Sequence, residues 1–248
     1  GVQQREVLAL LRAIARERGT KLIRAARVPV NFEYRDRKMR FQLSANGAKP
    51  FVSPLVGEHQ IRNTAVVVRA VEVLRGQGLK ISDQALRRGL RHTRWPARFQ
   101  VVNRRPLIVL DVAHNPAGAL VLARSFRRAF PRRRVVLVFG TLERPDYDKM
   151  LATLAPLTRR AVITRPEYRR AAEIEGVIWA AANAGLDFDV RLEVAAAVDR
   201  ALAVANHDDV VLFCGSHFTL GEAILRLQQL RRQGQLPELL ADITYMHE

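Results

Sequence analysis

The sequence is poor in cysteine: Cys214 is the single one among 248 residues. A lone thiol closes no internal disulfide, and without Cys or His companions at zinc spacing it anchors no structural metal site, so a reducing, cytoplasmic setting is expected. Aromatic residues make up only 6%, and none interleaves with the arginine runs as a base-stacking platform would. No apolar run reaches the roughly 18 to 20 residues of a bilayer-spanning helix. The opening Gly1-Val2-Gln3-Gln4-Arg5-Glu6 also lacks the basic-then-apolar pattern of a signal peptide, so no membrane partner is expected. Two nucleotide-binding signatures are missing as well. No Gly-x-x-x-x-Gly-Lys-Ser/Thr phosphate loop occurs, and no Gly-x-Gly-x-x-Gly follows the apolar segment at Leu107. The first absence excludes holding a nucleoside triphosphate in that manner; the second removes the main support for a dinucleotide-dependent dehydrogenase.

What remains is the composition of an ordinary globular chain, 48% hydrophobic and 26% charged, long enough for one large domain or two small ones. There are 41 Lys+Arg against 24 Asp+Glu, a net charge of +17. Such an excess attracts anions over long range. Only five of the basic residues are lysine, however, and an Arg- and Ala-rich composition can equally reflect genomic bias. Runs such as Arg132-Arg133-Arg134 and Arg159-Arg160 read as solvated faces.

Along the chain, Val7, Leu8, Leu11, Ile14 and Ala15 recur at helical spacing between Val2 and Arg18, and Gly19 supplies a stop. Lys21 to Ala25 reads as a short strand. Val30 to Tyr34 and Met39 to Leu43, joined by Arg35-Asp36-Arg37-Lys38, read as a hairpin, and Asn46-Gly47 marks a turn. A helix is predicted from about Ile61 to Arg75, then a shorter one capped by Ser82-Asp83 and ending near Leu90. Thr93-Arg94-Trp95-Pro96-Ala97-Arg98 breaks the pattern, and a boundary between domains 1–93 and 94–248 is placed there. Beyond it, buried-type strands at Leu107–Leu110, Val135–Phe139, Ala161–Thr164 and Val210–Cys214, with a further strand near Val190–Leu192, alternate with helices such as Gly118–Phe130. That rhythm predicts an α/β fold with a mostly parallel sheet, whose ligands bind beyond the carboxyl ends of its strands. Function is therefore expected in the loops after Leu110, Phe139 and Cys214.

The first of these loops, Leu110-Asp111-Val112-Ala113-His114-Asn115-Pro116, is the most chemical stretch of the chain. Asp111 could accept hydrogen bonds from ribose hydroxyls, and His114 could orient a carboxylate or an anionic intermediate. Equally, Asp111 could cap a turn while Asn115-Pro116 starts a helix. In Cys214-Gly215-Ser216-His217, Ser216 could open a helix whose amides suit an anion, or serve as an ordinary N-cap; His217 reads as packing or solvated. Arg98, after the stiff Trp95-Pro96, could enter a cleft or pair with a nearby carboxylate. His59 and Asn63 stand four apart on one helix face, where the Asn63 amide could bond a purine edge. No Ser-His-Asp arrangement or Gly-x-Ser-x-Gly elbow is legible.

In this order the motifs resemble the folylpolyglutamate synthase/dihydrofolate synthase family of the Mur ligase superfamily. The resemblance runs through Gly57-x-His59-Gln60-x-x-Asn63, Trp95-Pro96-Ala97-Arg98, the Asp111 to Pro116 loop and Gly215-Ser216, and covers nearly the whole chain. It implies a Rossmann-like C-terminal Mur ligase domain, preceded by part of an α/β ATPase domain. It also implies an ATP- and Mg²⁺-dependent ligase, of monomeric habit when full length, that adds L-glutamate to dihydropteroate or folyl-(poly)glutamate through an acyl phosphate. Asn63 would then hold adenine, Arg98 the ATP phosphates and Asp111 the ribose, with His114 and Ser216 positioning glutamate or the acyl phosphate; Arg98, Asp111 and His114 would be the catalytic set. The family's phosphate loop and magnesium ligands belong to an earlier stretch, so the chain is expected to be inactive alone and to hold no metal. Ala97 and Val112 replace family glycines and are expected to add bulk near the cleft, and Arg144-Pro145-Asp146 replaces an Asp-Lys-Asp stretch. The competing readings are a basic α/β module that binds nucleic acid or an acidic partner, and a Mur-type ligase for another acid.

Overall fold

The computed structural model describes residues 5–25, 32–35, 38–43, 49–143 and 146–240. They form two compact units, one of residues 1–54 and 58–93 and the other of residues 55–57 and 94–248.

In the first unit, α1 (Arg5–Glu17) follows the predicted apolar spacing, although Ala15 is its one buried residue. Strands β1 (Phe32–Arg35), β2 (Lys38–Phe41) and β3 (Phe51–Ser53) form an antiparallel sheet, with Arg35 opposite Lys38. The hairpin is therefore tighter than predicted, because Arg35 and Lys38 pair within it. The Asn46-Gly47 turn lies outside the described residues. Lys21 to Ala25 is not a strand: β propensity alone cannot hold a segment extended, and among the described residues no strand pairs with it. α2 (Glu58–Gly76) begins three residues before the predicted start, and α3 (Asp83–His92) opens on Ser82, whose Oγ accepts the Ala85 amide at 3.0 Å.

The second unit contains β4 (Gln100–Arg104), β5 (Leu107–Leu110), α4 (Pro116–Ala129), β6 (Arg134–Phe139), α5 (Tyr147–Leu154), β7 (Thr158–Ile163), α6 (Ile174–Asn183), β8 (Phe188–Val190), α7 (Val194–Val204), β9 (Asp209–Cys214) and α8 (His217–Arg232). Its sheet runs β4-β5-β9-β6-β7-β8, parallel except for β4 against β5. The α/β, mostly parallel architecture is as predicted. Alternation along the strands sends Ile108, Leu110, Val136, Val138, Val211 and Phe213 into one apolar cluster with α7 and α8. Leu137, Phe139, Leu212 and Cys214, also buried, take the opposite face. Central strands buried on both faces read as continuous apolar runs, which is why these were legible.

β7 starts earlier than predicted because its arginines belong to the strand. Arg159 donates to both carboxylate oxygens of Asp209, with Nη2 at 2.6 Å, and Arg160 pairs with Asp187 and Asp189. This corrects the reading of Arg159-Arg160 as a solvated face: an arginine can bury its stem when a carboxylate neutralises its head. β8 ends at Val190, before Leu192. Among the described residues, no helix is long and apolar enough to cross a membrane.

Candidate functional site

The central place of β9 brings the three predicted loops together. At the end of β5, the Asp111 amide donates to Phe213 O at 3.0 Å, and the Gly215 amide returns a bond to Ala113 O at 2.9 Å. On the other flank, Thr141 Oγ1 donates to Gly215 O at 3.3 Å. The backbones of β6 and β9 nearly touch where they end. Gly215 has φ of +112°, and a Cβ there would strike Gly140 O; a Cβ on Gly140 would lie 2.6 Å from Thr219 Oγ1. Only glycine meets both demands.

β4, absent from the sequence reading, carries the Trp95–Arg98 segment to this rim. Its antiparallel register sets Gln100 opposite Leu110, and Val112 N donates to Ala97 O at 2.9 Å. Ala97 and Phe99 both take left-handed backbone conformations, with φ of +54° and +47°. Arg98 lies between them. Ala97 occupies the family's glycine position in the conformation that glycine favours. Its methyl, like the Val112 side chain, is buried in the apolar cluster of α7 and α8. The expected added bulk near the cleft therefore goes into the core.

Asp111 is the electrostatic centre of the rim. Oδ1 accepts the Ala113 amide and Oδ2 the Phe99 amide, each at 2.8 Å. The residue keeps some exposure, but its carboxyl group is surrounded by protein. That burial outweighs both amide bonds and the nearby Arg98 charge, pushing its pKa up to about 6. Holding it ionised costs roughly 3 kcal/mol relative to water. Each oxygen retains a lone pair, so the group can accept two further hydroxyl donors.

His114 follows on the same loop. Its Nδ1 lies 2.9 Å from Val112 O, and since a carbonyl only accepts, Nδ1 carries the proton and Nε2 is left for another partner. Asn115 caps α4 by accepting the Gly118 amide at 2.8 Å, with Pro116 at the first helical turn. Ser216, only 2% exposed, is a true N-cap: its Oγ accepts the Thr219 amide at 3.0 Å and bonds Thr219 Oγ1 at 2.9 Å. Its hydroxyl is thus committed to the start of the helix.

Beside His114 is a cavity of about 120 Å³, lined also by Asn115, Thr141, Asp146, Tyr147 and Met150. Thr141 and Tyr147 were not singled out in the sequence, and Asp146 only as the end of the Arg144-Pro145-Asp146 stretch; the signal available was their place just after β6. Asp146 pairs with Lys149 at 2.8 Å, and Arg144 and Pro145 lie outside the described residues. A larger hollow of about 650 Å³ sits between Arg165, Leu192, Glu193, Glu222 and Arg226 and contains none of these site residues. Arg98, Asp111, His114 and Ser216 thus share one rim of the second unit. Asn63 belongs to the first unit, on α2, where its Nδ2 donates to Gln60 Oε1 at 3.1 Å.

Residues 97–217 match the family described as Mur ligase, glutamate ligase domain. The chain is 36% identical over 174 residues to a probable bifunctional folylpolyglutamate synthase/dihydropteroate synthase of Halobacterium salinarum, covering 70% of this chain and 21% of that protein. It is 31% identical to the dihydrofolate synthase/folylpolyglutamate synthase of Escherichia coli, covering 94% of this chain and 52% of that one. Among solved structures, the E. coli protein in complex with DHPP and ADP superposes with a TM-score of 0.71 at 29% identity, over 90% of this chain and 51% of that one. The chain therefore spans about half the length, or less, of these relatives.

Proposed function

This chain belongs to the folylpolyglutamate synthase/dihydrofolate synthase family of the Mur ligase superfamily, and from that premise we propose that it forms the glutamate-ligase portion of an ATP-dependent acid–amino-acid ligase in folate metabolism. The substrates of the proposed reaction are ATP, L-glutamate, and dihydropteroate or a folyl-(poly)glutamate. A carboxylate resists attack by an amine until one oxygen carries a good leaving group. In the proposed sequence, a carboxylate oxygen of the folate-type acid attacks the terminal phosphorus of ATP and ADP departs. The glutamate amine then attacks the acyl carbon, phosphate leaves, the nitrogen gives up a proton, and an amide remains.

The observation that carries this reading is the convergence of Arg98, Asp111 and His114 at the ends of β5 and β9. Asp111 has lone pairs for ribose hydroxyls, Arg98 has a permanent charge for phosphate oxygens, and His114 offers Nε2 to glutamate or the acyl phosphate. For Ser216 the supported role is indirect, since its hydroxyl shapes the start of α8. Asn63 is assigned to adenine by its motif, and residues 1–93 to the end of the ATPase domain. No step above depends on a metal ligand from this chain. With no phosphate-loop motif in its 248 residues, the chain alone is proposed to be inactive.

In the intact enzyme, ADP release should require both a pteroate or folate acid and glutamate. Arg98→Ala should lower turnover by about 100-fold or more, with little change in thermal stability. Unchanged turnover would remove Arg98 from the machinery, and ADP release with unrelated acids instead would favour a different Mur-type ligase.

A further inference from the structure

His217 occupies the position just after the capping serine, and three features of the rim give it a role. Ser216 is extended, with φ of −156° and ψ of 159°, and turns its hydroxyl inward to Thr219. The following residue, His217, is exposed at the mouth of the rim. Its ring lies 5.7 Å from that of His114, centroid to centroid, at 41°. His114 is held in place by its bond to Val112 O, so the pair has a fixed member and an exposed one.

We propose that His217 is a further ligand-contacting residue, closing with His114 and Arg98 around an oxyanion of the substrate, either a glutamate carboxylate or a phosphate. The oxyanion's identity as glutamate or phosphate rests on the ligase reading; the clamp itself does not. Convergence of like charge carries the argument. Two imidazoles, from the loop after β5 and the start of α8, lie ring beside ring, and the guanidinium of the segment before β4 is near enough for its charge to act on His217. The scaffold cations of this unit do the reverse: Arg160 and Arg200 both close on Asp189. Asp111, on the same rim, already accepts two backbone amides. The His217 pKa lies below the usual histidine value, first through the partial burial of its ring, then through His114 and Arg98. An oxyanion seated between the rings would reverse the two charge effects, so binding should draw a proton onto the pair.

The test uses this 248-residue chain with isotopically labelled histidine. NMR titrations of each imidazole are run in chloride, in L-glutamate and in inorganic phosphate at matched ionic strength. The expected result is a rise in the His217 midpoint of about half a pH unit or more in glutamate, in phosphate or in both, with exposed His92 and His207 unmoved. The anion that moves it identifies the source. No movement in either anion, or equal movement at His92 and His207, would overturn the proposal. Asp111, with its pKa raised to about 6, titrates in the scanned range, so the shift must persist in Asp111→Asn. In the intact enzyme, His217→Gln should raise the glutamate KM or weaken phosphate inhibition by about tenfold, the worth of one charge-assisted hydrogen bond, with melting unchanged. If KM and inhibition stay the same while ADP release continues, the clamp fails and the ligase reading stands. If the wild type releases no ADP while the midpoint shift is seen, the ligase reading fails and the clamp stands.

Discussion

Asp189, on the β8 edge of the sheet, and Asp111, on its strand-end rim, are treated in opposite ways by the same α/β unit. Arg160 and Arg200 close on Asp189, and their hydrogen bonds hold its pKa at about 2. Asp111 accepts only backbone amides, and burial drives it to about 6. On the edge, charge is balanced by neighbouring side chains and serves the scaffold. On the rim, the main chain fixes a carboxylate that the fold would hold more easily with a proton on it. An unfavourable arrangement at the carboxyl ends of parallel strands fits the ligand-binding role proposed for the rim.

If the rim is a backbone construction, its glycines should matter most. Gly215→Ala forces a Cβ onto Gly140 O at a positive φ and should destabilise the protein by about 3 kcal/mol in urea melts; a loss below about 1 kcal/mol would show that the rim yields easily. The next largest effect concerns Asp111. Its native pKa is raised, so between about pH 4 and 6 the folded state binds more protons than the unfolded one, and stability falls as pH rises. Relative to Asp111→Asn, the wild type should lose up to roughly 3 kcal/mol between pH 4 and 7. Parallel stability profiles would mean that the carboxyl group is effectively solvated.

Asp189 should show the contrary sign. Its depressed pKa contributes stability above about pH 4 that disappears as pH falls towards 2. Arg200→Ala should therefore be most destabilising near neutrality, and its difference from wild type should shrink with acid. A difference that grows in acid would contradict the pairing. The smallest effect is expected at Ala97→Gly, where relief of the left-handed backbone opposes loss of a buried methyl. The net change should stay within about 1 kcal/mol in either direction.

Continuous apolar runs exposed the central strands to a sequence reading, because burial on both sheet faces leaves no polar alternation to confuse them. Gln100–Arg104 escaped notice: it is a short antiparallel strand with polar Gln100, Asn103 and Arg104 around Val101-Val102, and register with β5 rather than composition makes it a strand. Missing it hid how Arg98 comes near Asp111. The loop after Leu110 was legible because an acid, an imidazole and an amide fall together at a strand end. Ser216 was legible as an N-cap, but the approach of His217 to His114 was not, since it depends on β9 lying beside β5. Likewise, whether Arg159 and Arg160 meet water or carboxylates depends on Asp209 and Asp189, far along the chain.

Cys214 ends the central strand β9, fully buried, and burial raises its thiol pKa well above the ordinary value. Towards maleimides and other thiolate-seeking reagents the folded chain should behave as though it had no cysteine at all. A cysteine introduced at an exposed position, such as Trp179 on α6 at 70% exposure, would then accept a fluorophore without background, and the wild-type protein is its own blank.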